Sequence, residues 1–470
     1  MIKGFDNAIE KKLKKSLRFI SKTETSNNFK IQSKEHLLNN CEAETYLLKK
    51  KFMVAFQTDE ILGQDRRNNL LRSKTKFTLR NDNSNLIFDF KSFSNINYLF
   101  MNNPRRMECT VRKYYNEEIR SRKAHYYRLL IPTEKILEVG GIFESELLKI
   151  EGTVYSRGVL LINNNNRKYH LYAHSNKSEK NKYLVIDSLF RSTFNEFLSS
   201  VKTILLSYSF VTGYYPREKW YFLSSNTQSF EKIYGIYYET LPKSLKSIYS
   251  IFPSSKYRIF YNLPRHIEFP QSSFNKLCST LQNNKELARV LFLVVEGHTL
   301  STEIKAAVYS VALESITNII SHENSNKTVP IQDKKVSRNL IKELKSTLGK
   351  FSVVLSKESI DTIIKKINVI NSPTNKQKLL IPFEVYNIKL NSKEINCINM
   401  RNDFLHGRVP KNNTKDDEKY NLEQIAFTLL YCVVALVLKY VEYTGYVLYY
   451  PSLIEISQKG KLSDFIIKSI

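Results

Sequence analysis

The chain has 470 residues and 42% of them are hydrophobic, so it can form two or three domains with real cores and is not a disordered polymer. Lysine and arginine number 72 against 45 aspartates and glutamates, and the net charge of +27 favours a polyanionic partner. Nucleic acid is the first candidate, and an acidic membrane surface is the competitor. The five cysteines have neither metal-ligand nor redox spacing, which predicts a reducing compartment without structural disulfides or a zinc site.

Neither end of the chain predicts a membrane segment. Residues 1–50 form a basic segment, rich in lysine and asparagine, whose order the sequence leaves open. Its start, Met1 to Arg18, has too many lysines and too short an apolar stretch for a signal peptide. The longest apolar run, Ile425 to Leu438, is shorter than the roughly twenty residues needed to cross a bilayer. We therefore expect a cytoplasmic protein with no membrane partner, and a helix at this run that is buried on most sides.

Residues 51–270 predict a β-rich domain with some helix, either a sandwich or an open barrel. Short apolar runs alternate there with polar, turn-rich stretches. Four consecutive asparagines, Asn163 to Asn166, lie between two of these runs and predict a hairpin loop. Helical spacing of apolar residues replaces the strand pattern from Ser192 to Thr212, and Tyr214 to Ser224 again favours a strand. The clearest strand runs are 52–56, 86–90, 126–131 and 159–162.

From about Ser272 the pattern is helical almost throughout, so we expect an all-α domain over residues 280–450 and a C-terminal tail over 451–470. The whole chain is then an α+β protein, with the β-rich part first. The predicted helices are 286–299, 303–322, 334–349, 357–370, a shorter one at 378–386, and 422–443.

One short motif in this helical third combines residues that can cleave RNA without a metal. Arg401 supplies a permanent planar charge that fits a phosphate, and Asn402 lies beside it. His406 can transfer protons near neutral pH. On an ideal helix Arg401 and His406 lie about 140° apart, so they converge only if the helix loosens or a second subunit completes the site. Gly407 favours such loosening, because glycine commonly follows a helix end.

The C-terminal third resembles the HEPN ribonucleases, in particular the ApeA-like HEPN domain of bacterial anti-phage proteins, over roughly residues 280–445. Four features of that family occur here in the family's order, although no single one is specific. They are Ala312–Ile316 within a long helix, the linker Asn371–Lys376 before a short helix, Arg401-Asn402 followed by His406-Gly407, and an apolar helix ending in Tyr443-Thr444-Gly445-Tyr446.

The resemblance implies a four- or five-helix bundle that dimerises, with two Arg-x4-His motifs lining one cleft. It implies metal-independent RNA cleavage by attack of the ribose 2′-hydroxyl on the adjacent phosphate. His406 would then be the general acid or base, Arg401 would stabilise the charge of the phosphorane, and Asn402 would orient both. One motif supplies a single acid or base, whereas two across a dimer axis supply both. The run from Ile425 to Leu438 is apolar on almost every face, which also predicts a symmetric partner.

We therefore expect a β-rich sensor or regulatory domain followed by a homodimeric HEPN endoribonuclease of the abortive-infection type, without a metal or another cofactor. RNA is the expected partner, with tRNA as one candidate class, and a phage-derived molecule is a candidate trigger. The alternative is a non-catalytic HEPN module that dimerises and binds RNA or a protein.

Further residues are candidates for RNA contact or for the cleft. Basic residues near aromatic ones can hold RNA by charge and stacking, and a solvated basic face is the competing interpretation. Glu314, on a long amphipathic helix, is a candidate for the cleft or a structural residue of that helix. The candidate RNA-binding residues are Arg408, Arg105, Arg106, Arg112 and Lys113, with a second basic and aromatic cluster from Arg120 to Arg128 that includes Tyr126 and Tyr127.

Two other pairs have suggestive spacing but unsuitable surroundings. Arg120 and His125 repeat the spacing of the motif, but they lie in the β-rich part and a serine follows the arginine. His170 and His174 have the spacing of a helical zinc pair, but no glutamate follows His170 and the alternating apolar residues favour a strand. We expect neither pair to be a catalytic or metal site.

Overall fold

The computed structural model describes residues 3–25, 29–33, 41–49, 51–58, 76–81, 84–89, 93–99, 105–121, 123–133, 139–144, 148–150, 153–155, 158–175, 182–217, 219–242, 249–253, 255–263, 267–324, 329–405, 422–459 and 466–470. The chain forms two compact units. The first comprises Met1–Lys246 and Pro253–Gln282, and the second comprises Ser247–Phe252 and Asn283–Ile470. The main boundary, at Gln282, lies close to the start predicted for the helical domain.

The first unit is built on one large antiparallel sheet of fourteen strands. The strand order across the sheet is β12-β13-β14-β9-β15-β16-β8-β5-β4-β1-β2-β3-β7-β6, while β10 and β11 pair separately. The strands are β1 Phe29–Ser33, β2 Glu42–Leu48, β3 Lys51–Thr58, β4 Lys76–Asn81, β5 Ser84–Asp89, β6 Phe93–Leu99, β7 Arg105–Val111, β8 Lys113–Tyr115, β9 Tyr126–Thr133, β10 Leu148–Ile150, β11 Thr153–Tyr155, β12 Val159–Asn164, β13 Arg167–Ser175, β14 Lys182–Ser188, β15 Lys219–Ser225 and β16 Ile233–Thr240.

The part of the sheet from β8 to β6 curls around a shared aromatic core. Phe88 on β5 and Phe93 on β6 stack with their ring centroids 5.9 Å apart, although five strands lie between them in the sheet order. Phe52 on β3 lies 5.1 Å from Tyr114 on β8 in the same way. Such contacts require strong coiling, which the twist of antiparallel strands supplies. The predicted β-rich domain is therefore present.

The helices of this unit are α1 Lys3–Glu24, α2 Val139–Ile142, α3 Phe194–Thr212, α4 Ser255–Phe260 and α5 Gln271–Asn283. Of these, α1 and α3 pack on opposite faces of the sheet, since they contact the adjacent residues Arg128 and Tyr127 of β9. In α1, Leu13 and Ile20 are buried in the aromatic core, so part of the segment whose order the sequence left open is a packed helix. On the other face, Phe197 of α3 stacks on Tyr127 of β9 at 5.3 Å. The helix predicted from Ser192 to Thr212 is thus confirmed.

The predicted asparagine loop is also confirmed. It joins β12 to β13, with Asn164 opposite Arg167 in the register. Asn165 and Asn166 between them have φ angles of 50° and 63°, in the left-handed region that asparagine tolerates better than most residues. A two-residue turn with both central φ angles positive matches the twist of a hairpin.

The second unit is mainly helical and includes a small antiparallel sheet of two strands. The predicted helices between 286 and 443 are all present within a few residues of their expected bounds, and the motif region adds one more. The elements are α6 Lys285–Gly297, α7 Thr302–Glu323, α8 Lys334–Gly349, α9 Lys357–Asn368, α10 Asn375–Val385, α11 Ser392–Leu405, α12 Leu422–Tyr440, α13 Tyr450–Lys459, and the paired strands β17 Tyr446–Leu448 and β18 Ile467–Ser469.

Helix α12 is the centre of this unit. Every residue from Ile425 to Leu438 is buried within the single chain, mainly against α7, α11 and α13. Among the described residues one helix, α12, is long and apolar enough to cross a membrane. However, 78% of its most apolar stretch is buried inside the protein. The premise that a second subunit must cover this helix is therefore wrong, because the bundle itself supplies the cover.

The predicted C-terminal tail is also part of the second unit. Strand β18 pairs with β17, and the backbone N–H of Ile470 donates to the carbonyl of Gly445 at 2.8 Å. The preceding helix α13 packs on α12, where Tyr450 stacks on Phe427 at 5.4 Å. The described residues between 450 and 470 are thus packed on the helical core and do not form a separate tail.

Candidate functional site

Helix α11 carries the first part of the Arg-x4-His motif, and two reciprocal hydrogen bonds fix its start. The N–H of Glu394 donates to the side-chain oxygen of Asn391 at 2.9 Å, and the N–H of Asn391 donates to the Glu394 carboxylate at 2.8 Å. This exchange satisfies two donors that a helix start otherwise leaves open. Asn391 and Glu394 are three residues apart, a spacing typical of helix starts, so the sequence carries a signal for this start that apolar periodicity alone does not detect.

The same carboxylate is held from the C-terminal strand. Glu394 is fully buried, and its second oxygen accepts a hydrogen bond from the Lys468 ammonium on β18 at 2.5 Å. That ammonium also lies above the ring of Tyr431 at 4.7 Å and the ring of Tyr449 at 5.2 Å. A buried carboxylate needs such a partner, because an unpaired charge in the interior is costly. Lys468 therefore ties the start of α11 to the end of the chain.

Arg401 belongs to the buried side of α11. Glu394, Cys397, Ile398 and Arg401 recur at the three- and four-residue spacing of one helix face, and all four are buried. This face packs towards α7 and α12. Arg401 is 6% exposed and lies four residues before the last described residue of the helix, Leu405. Its guanidinium is thus placed by the packing of α11 and not by a surface loop.

The remaining motif residues are only partly within the described chain. His406, Gly407 and Arg408 lie outside the described residues. The backbone of Asn402 is in α11, but its side chain is not described. Convergence of Arg401 with His406, and the contribution of Arg408 to RNA binding, therefore stay predictions.

The Cys397 thiol lies one helical turn before Arg401 on the same buried face of α11, and burial lowers its reactivity. Burial raises the pKa of the Cys397 thiol to about 11, partly offset by a hydrogen bond with the hydroxyl of Thr428. A thiol with so high a pKa is almost entirely protonated at neutral pH and is a poor nucleophile. Cys397 is therefore a packing residue of this face and not a reacting group.

Glu314 lies on α7 but is exposed, whereas its helix buries a stripe that includes Leu313 and Thr317. The exposed side of α7 is therefore the side that carries the carboxylate. A role for Glu314 in a cleft would need that cleft to form on this exposed side, so its assignment stays a prediction.

Arg106, a predicted RNA-binding residue, is already engaged within the sheet. Its guanidinium forms ion pairs with Glu44 on β2 and with Glu108 on β7, the second at 3.0 Å. It also lies 5.5 Å from the ring of Tyr46. Its neighbour Arg105 is in β7, but its side chain is not described. One guanidinium between two carboxylates has no net positive charge to offer a phosphate, which weakens the prediction for Arg106 without testing it.

A freer basic surface lies where β8 and β16 pair. Arg112 and Arg120 are exposed there, and Lys113 is half-buried. The Lys113 ammonium lies 5.2 Å above the ring of Tyr237, and the Arg120 guanidinium lies 3.9 Å above the ring of Tyr115. Cations stacked on aromatic rings are a common feature of surfaces that bind single-stranded nucleic acid. This surface is the best described place for the predicted RNA contacts of Arg112 and Lys113.

At the C-terminal end of the second basic cluster, Tyr127 and Arg128 are buried. Arg128 is fully buried, and its guanidinium forms two hydrogen bonds to the Asp187 carboxylate, at 2.6 and 3.0 Å. It also donates to the Ser16 hydroxyl of α1 at 2.9 Å and lies 4.1 Å from the ring of Phe230. Tyr127 is buried against α3. Including Arg128 and Tyr127 in an RNA-binding cluster was therefore wrong, since strand alternation and Asp187 bring both residues inside.

The residues with misleading spacing have separate structural partners. His125 is buried between the Ser121 hydroxyl at 3.1 Å and the side-chain oxygen of Asn226 at 2.8 Å, while Arg120 stacks on Tyr115. His170 and His174 are buried in β13, which confirms the strand interpretation of that stretch. Within the described residues, no group of three or more histidine, cysteine, aspartate or glutamate side chains could hold a metal ion.

Comparison with known proteins adds no family. No protein-family model, no curated protein and no solved structure matches this chain.

Proposed function

We propose that the helical unit is a metal-independent endoribonuclease of the HEPN type, acting in bacterial anti-phage defence of the abortive-infection kind. Arg401, Asn402 and His406 are its active residues. One observation carries the proposal: Arg401 lies in the last described turn of α11, five residues before His406 in the sequence, on a helix that packs on α7 and α12. Features on which the resemblance to the HEPN family rests lie in these helices, with Ala312–Ile316 in α7 and Arg401 in α11.

In the proposed reaction, the oxygen of a ribose 2′-hydroxyl attacks the adjacent phosphorus while the bond from phosphorus to the 5′-oxygen breaks. One His406 takes the proton of the 2′-hydroxyl, and the His406 of a second copy gives a proton to the leaving 5′-oxygen. Arg401 stabilises the extra negative charge of the phosphorane. The products are a 2′,3′-cyclic phosphate and a 5′-hydroxyl, so no water is consumed in this step.

The homodimer in this proposal rests on the chemistry and not on an unburied helix. Because the reaction needs both a base and an acid, and one motif offers one histidine, two copies complete the site. The burial of α12 inside one chain removes the independent reason for a dimer that its sequence suggested. A dimer around α11 therefore becomes the part of the proposal that most needs a direct test.

One observation favours the second candidate function, a HEPN module that binds RNA or a protein without cleaving RNA. Arg401 is only 6% exposed in the single chain, as expected for an arginine that holds a bundle together. A structural arginine and a catalytic one differ in how they respond to replacement. Arg401→Lys keeps the charge but loses the planar fork, so a catalytic Arg401 loses activity at unchanged stability.

The experiment compares RNA cleavage by the purified full-length protein and its variants in the presence of a chelator. We expect His406→Ala and Arg401→Lys to abolish cleavage while both fold as the parent does. His125→Ala is the matched control, because His125 has the same spacing from an arginine but lies in the β-rich unit. Unchanged cleavage by a folded His406→Ala protein overturns the assignment, and loss only in His125→Ala moves the site. An inactive parent protein that still binds RNA favours the second candidate.

For the β-rich unit we propose a sensor or regulatory role, with a phage-derived molecule as trigger and RNA, tRNA being one class, as the substrate of the helical unit. Two exposed cations support an RNA contact near β8: Arg112, and Arg120, which stacks on Tyr115. Replacing Arg112 and Lys113 by glutamine should weaken RNA binding about equally for all sequences and reduce its salt dependence. Unchanged binding would remove this surface from the proposal.

A further inference from the structure

The α8–α9 hairpin exposes an unusual share of the apolar side chains of the protein. Fourteen large apolar residues are exposed among the described ones, and seven of them lie between Val336 and Ile370. Along its whole length α9 has no buried residue, and α8 buries Ser337 and Leu348. The two helices pack mainly on each other. Exposed apolar side chains that cluster in one part of a protein mark an interaction surface.

Hydrogen bonds join the two ends of the hairpin segment at its base and also form the turn at its tip. At its base, the Asn371 side chain accepts from the Ile331 N–H at 2.7 Å and donates to the Ile331 carbonyl at 2.9 Å. At its tip, the N–H groups of Phe351 and Val354 donate to the carbonyls of Leu348 and Phe351, each at 3.0 Å. The tip, residues 350–356, is therefore a hydrogen-bonded turn with a fixed shape.

The tip presents its apolar side chains outward. Phe351 is 51% exposed, Val353 is 94% exposed and Val354 is 82% exposed. The hydrogen bonds that form the turn are between its own backbone groups, so the position of these side chains does not require contacts with the bundle. The exposed residues Val336, Val369 and Ile370 lie at the base, at the opposite end of the hairpin, and form no part of the tip.

Charge indicates what the tip can contact. Residues 333–370 contain nine lysines and arginines against four aspartates and glutamates. Lys345, Lys350 and Lys357 are exposed around the apolar tip, with Glu358 as the acidic residue nearest to it in sequence. Exposed apolar side chains flanked in sequence by exposed lysines match the boundary between the acyl region and anionic headgroups of a lipid layer.

We infer that the tip of the α8–α9 hairpin docks on an anionic lipid surface, with Phe351, Val353 and Val354 entering the layer and the surrounding lysines contacting its headgroups. A stable protein interface buries roughly 800 Å² on each partner, which is more than three side chains at a narrow tip can supply. Two copies meeting at this tip would also bring like charges together. A lipid layer requires no complementary pocket and attracts those charges.

This inference goes beyond the proposed ribonuclease and does not depend on it. It also revises the expectation of no membrane partner. That expectation came from the lack of a spanning segment, whereas the tip would lie on a membrane without crossing it.

The test measures co-sedimentation of the full-length protein with vesicles of neutral phosphatidylcholine, with and without about one third phosphatidylglycerol. We expect binding to the anionic vesicles to be about tenfold stronger or more, and to fall with added salt. Val353→Ser combined with Val354→Ser should weaken that binding about tenfold, since both changes remove exposed apolar groups that enter the layer. The matched control combines Ile259→Ser with Phe260→Ser, an exposed apolar pair in the β-rich unit, and should bind like the parent.

A second measurement reports insertion directly. The single tryptophan of the chain, Trp220, is buried, so Val353→Trp adds one exposed fluorophore at the tip. Its emission should shift to the blue with anionic vesicles and be quenched by brominated lipid chains. No binding, equal binding to neutral vesicles, or equal loss in the Ile259 and Phe260 control overturns the inference. Self-association in the absence of vesicles that the tip variant abolishes would also overturn it and identify a second copy as the occupant.

Discussion

Replacing Lys468 tests whether the C-terminal strand holds the helix that carries the motif. Lys468→Met leaves the Glu394 carboxylate buried without its cation, and removing one partner of a buried ion pair costs about 3–5 kcal/mol. Here the Lys468 side chain is 24% exposed, and the N–H of Asn391 still donates to Glu394, so we expect the lower limit of that range. The free energy of unfolding of the helical unit should therefore fall by about 3 kcal/mol.

The assay combines denaturant unfolding with hydrogen exchange of the α11 amides, since the chain has two units and a global transition can mix them. Lys393→Met is the matched control, because Lys393 forms a longer and more exposed ion pair with Glu455, at 3.6 Å, worth about 0–1 kcal/mol. Adding Glu394→Gln to Lys468→Met removes the unpaired buried charge but keeps a side-chain oxygen that accepts from the Asn391 N–H. The double variant should therefore recover at least about 2 kcal/mol of the lost free energy of unfolding. If Lys468→Met costs no more than Lys393→Met, the account of how α11 is anchored fails.

Three further outcomes are expected. Mixed dimers with one His406→Ala subunit should lose most cleavage activity, and a strictly monomeric protein that cleaves at high dilution would show that one motif suffices. Leu430→Ala in the buried helix α12 should destabilise the helical unit by about 2–5 kcal/mol in urea unfolding, whereas a loss below about 1 kcal/mol would contradict the single-chain core. Burial lowers the pKa of His298 to about 3, so its folded form resists protonation below the ordinary value of 6.5. Stability should consequently fall by about 2 kcal/mol from pH 6.5 to 5, and His298→Gln should remove that part of the pH dependence.

Local patterns in the sequence predicted much of the fold because their causes are local. The Asn165-Asn166 turn follows from the tolerance of asparagine for positive φ, and helix α3 follows from apolar residues at helical spacing. The helices α6 to α10 and α12 were expected for the same reason, whereas α11 was not among the predicted helices. What the sequence pattern could not supply was the identity of the neighbours in space.

Two errors and one open question share that cause. Arg128 looked like a surface cation because its partner, Asp187, is 59 residues away. Helix α12 seemed to need a second subunit because the helix that packs on it most extensively, α7, is distant in the chain. Whether α1 is ordered stayed open because its many lysines leave few apolar residues, so the helical spacing of Leu13 and Ile20 was not recognised. At the candidate site, the sequence predicted a role for Arg401, which stays a prediction. The bond from Lys468 to Glu394 on the same helix depends on a strand that only the folded chain places there.

The chemistry of the RNA ends tests the central claim most directly. Total RNA incubated with the purified protein in excess chelator should yield fragments with a 2′,3′-cyclic phosphate and a 5′-hydroxyl, because the ribose 2′-hydroxyl is the nucleophile. The same incubation with His406→Ala should yield none. Fragments with a plain 3′-hydroxyl, or cleavage that stops in chelator and returns with magnesium or manganese, would contradict the account.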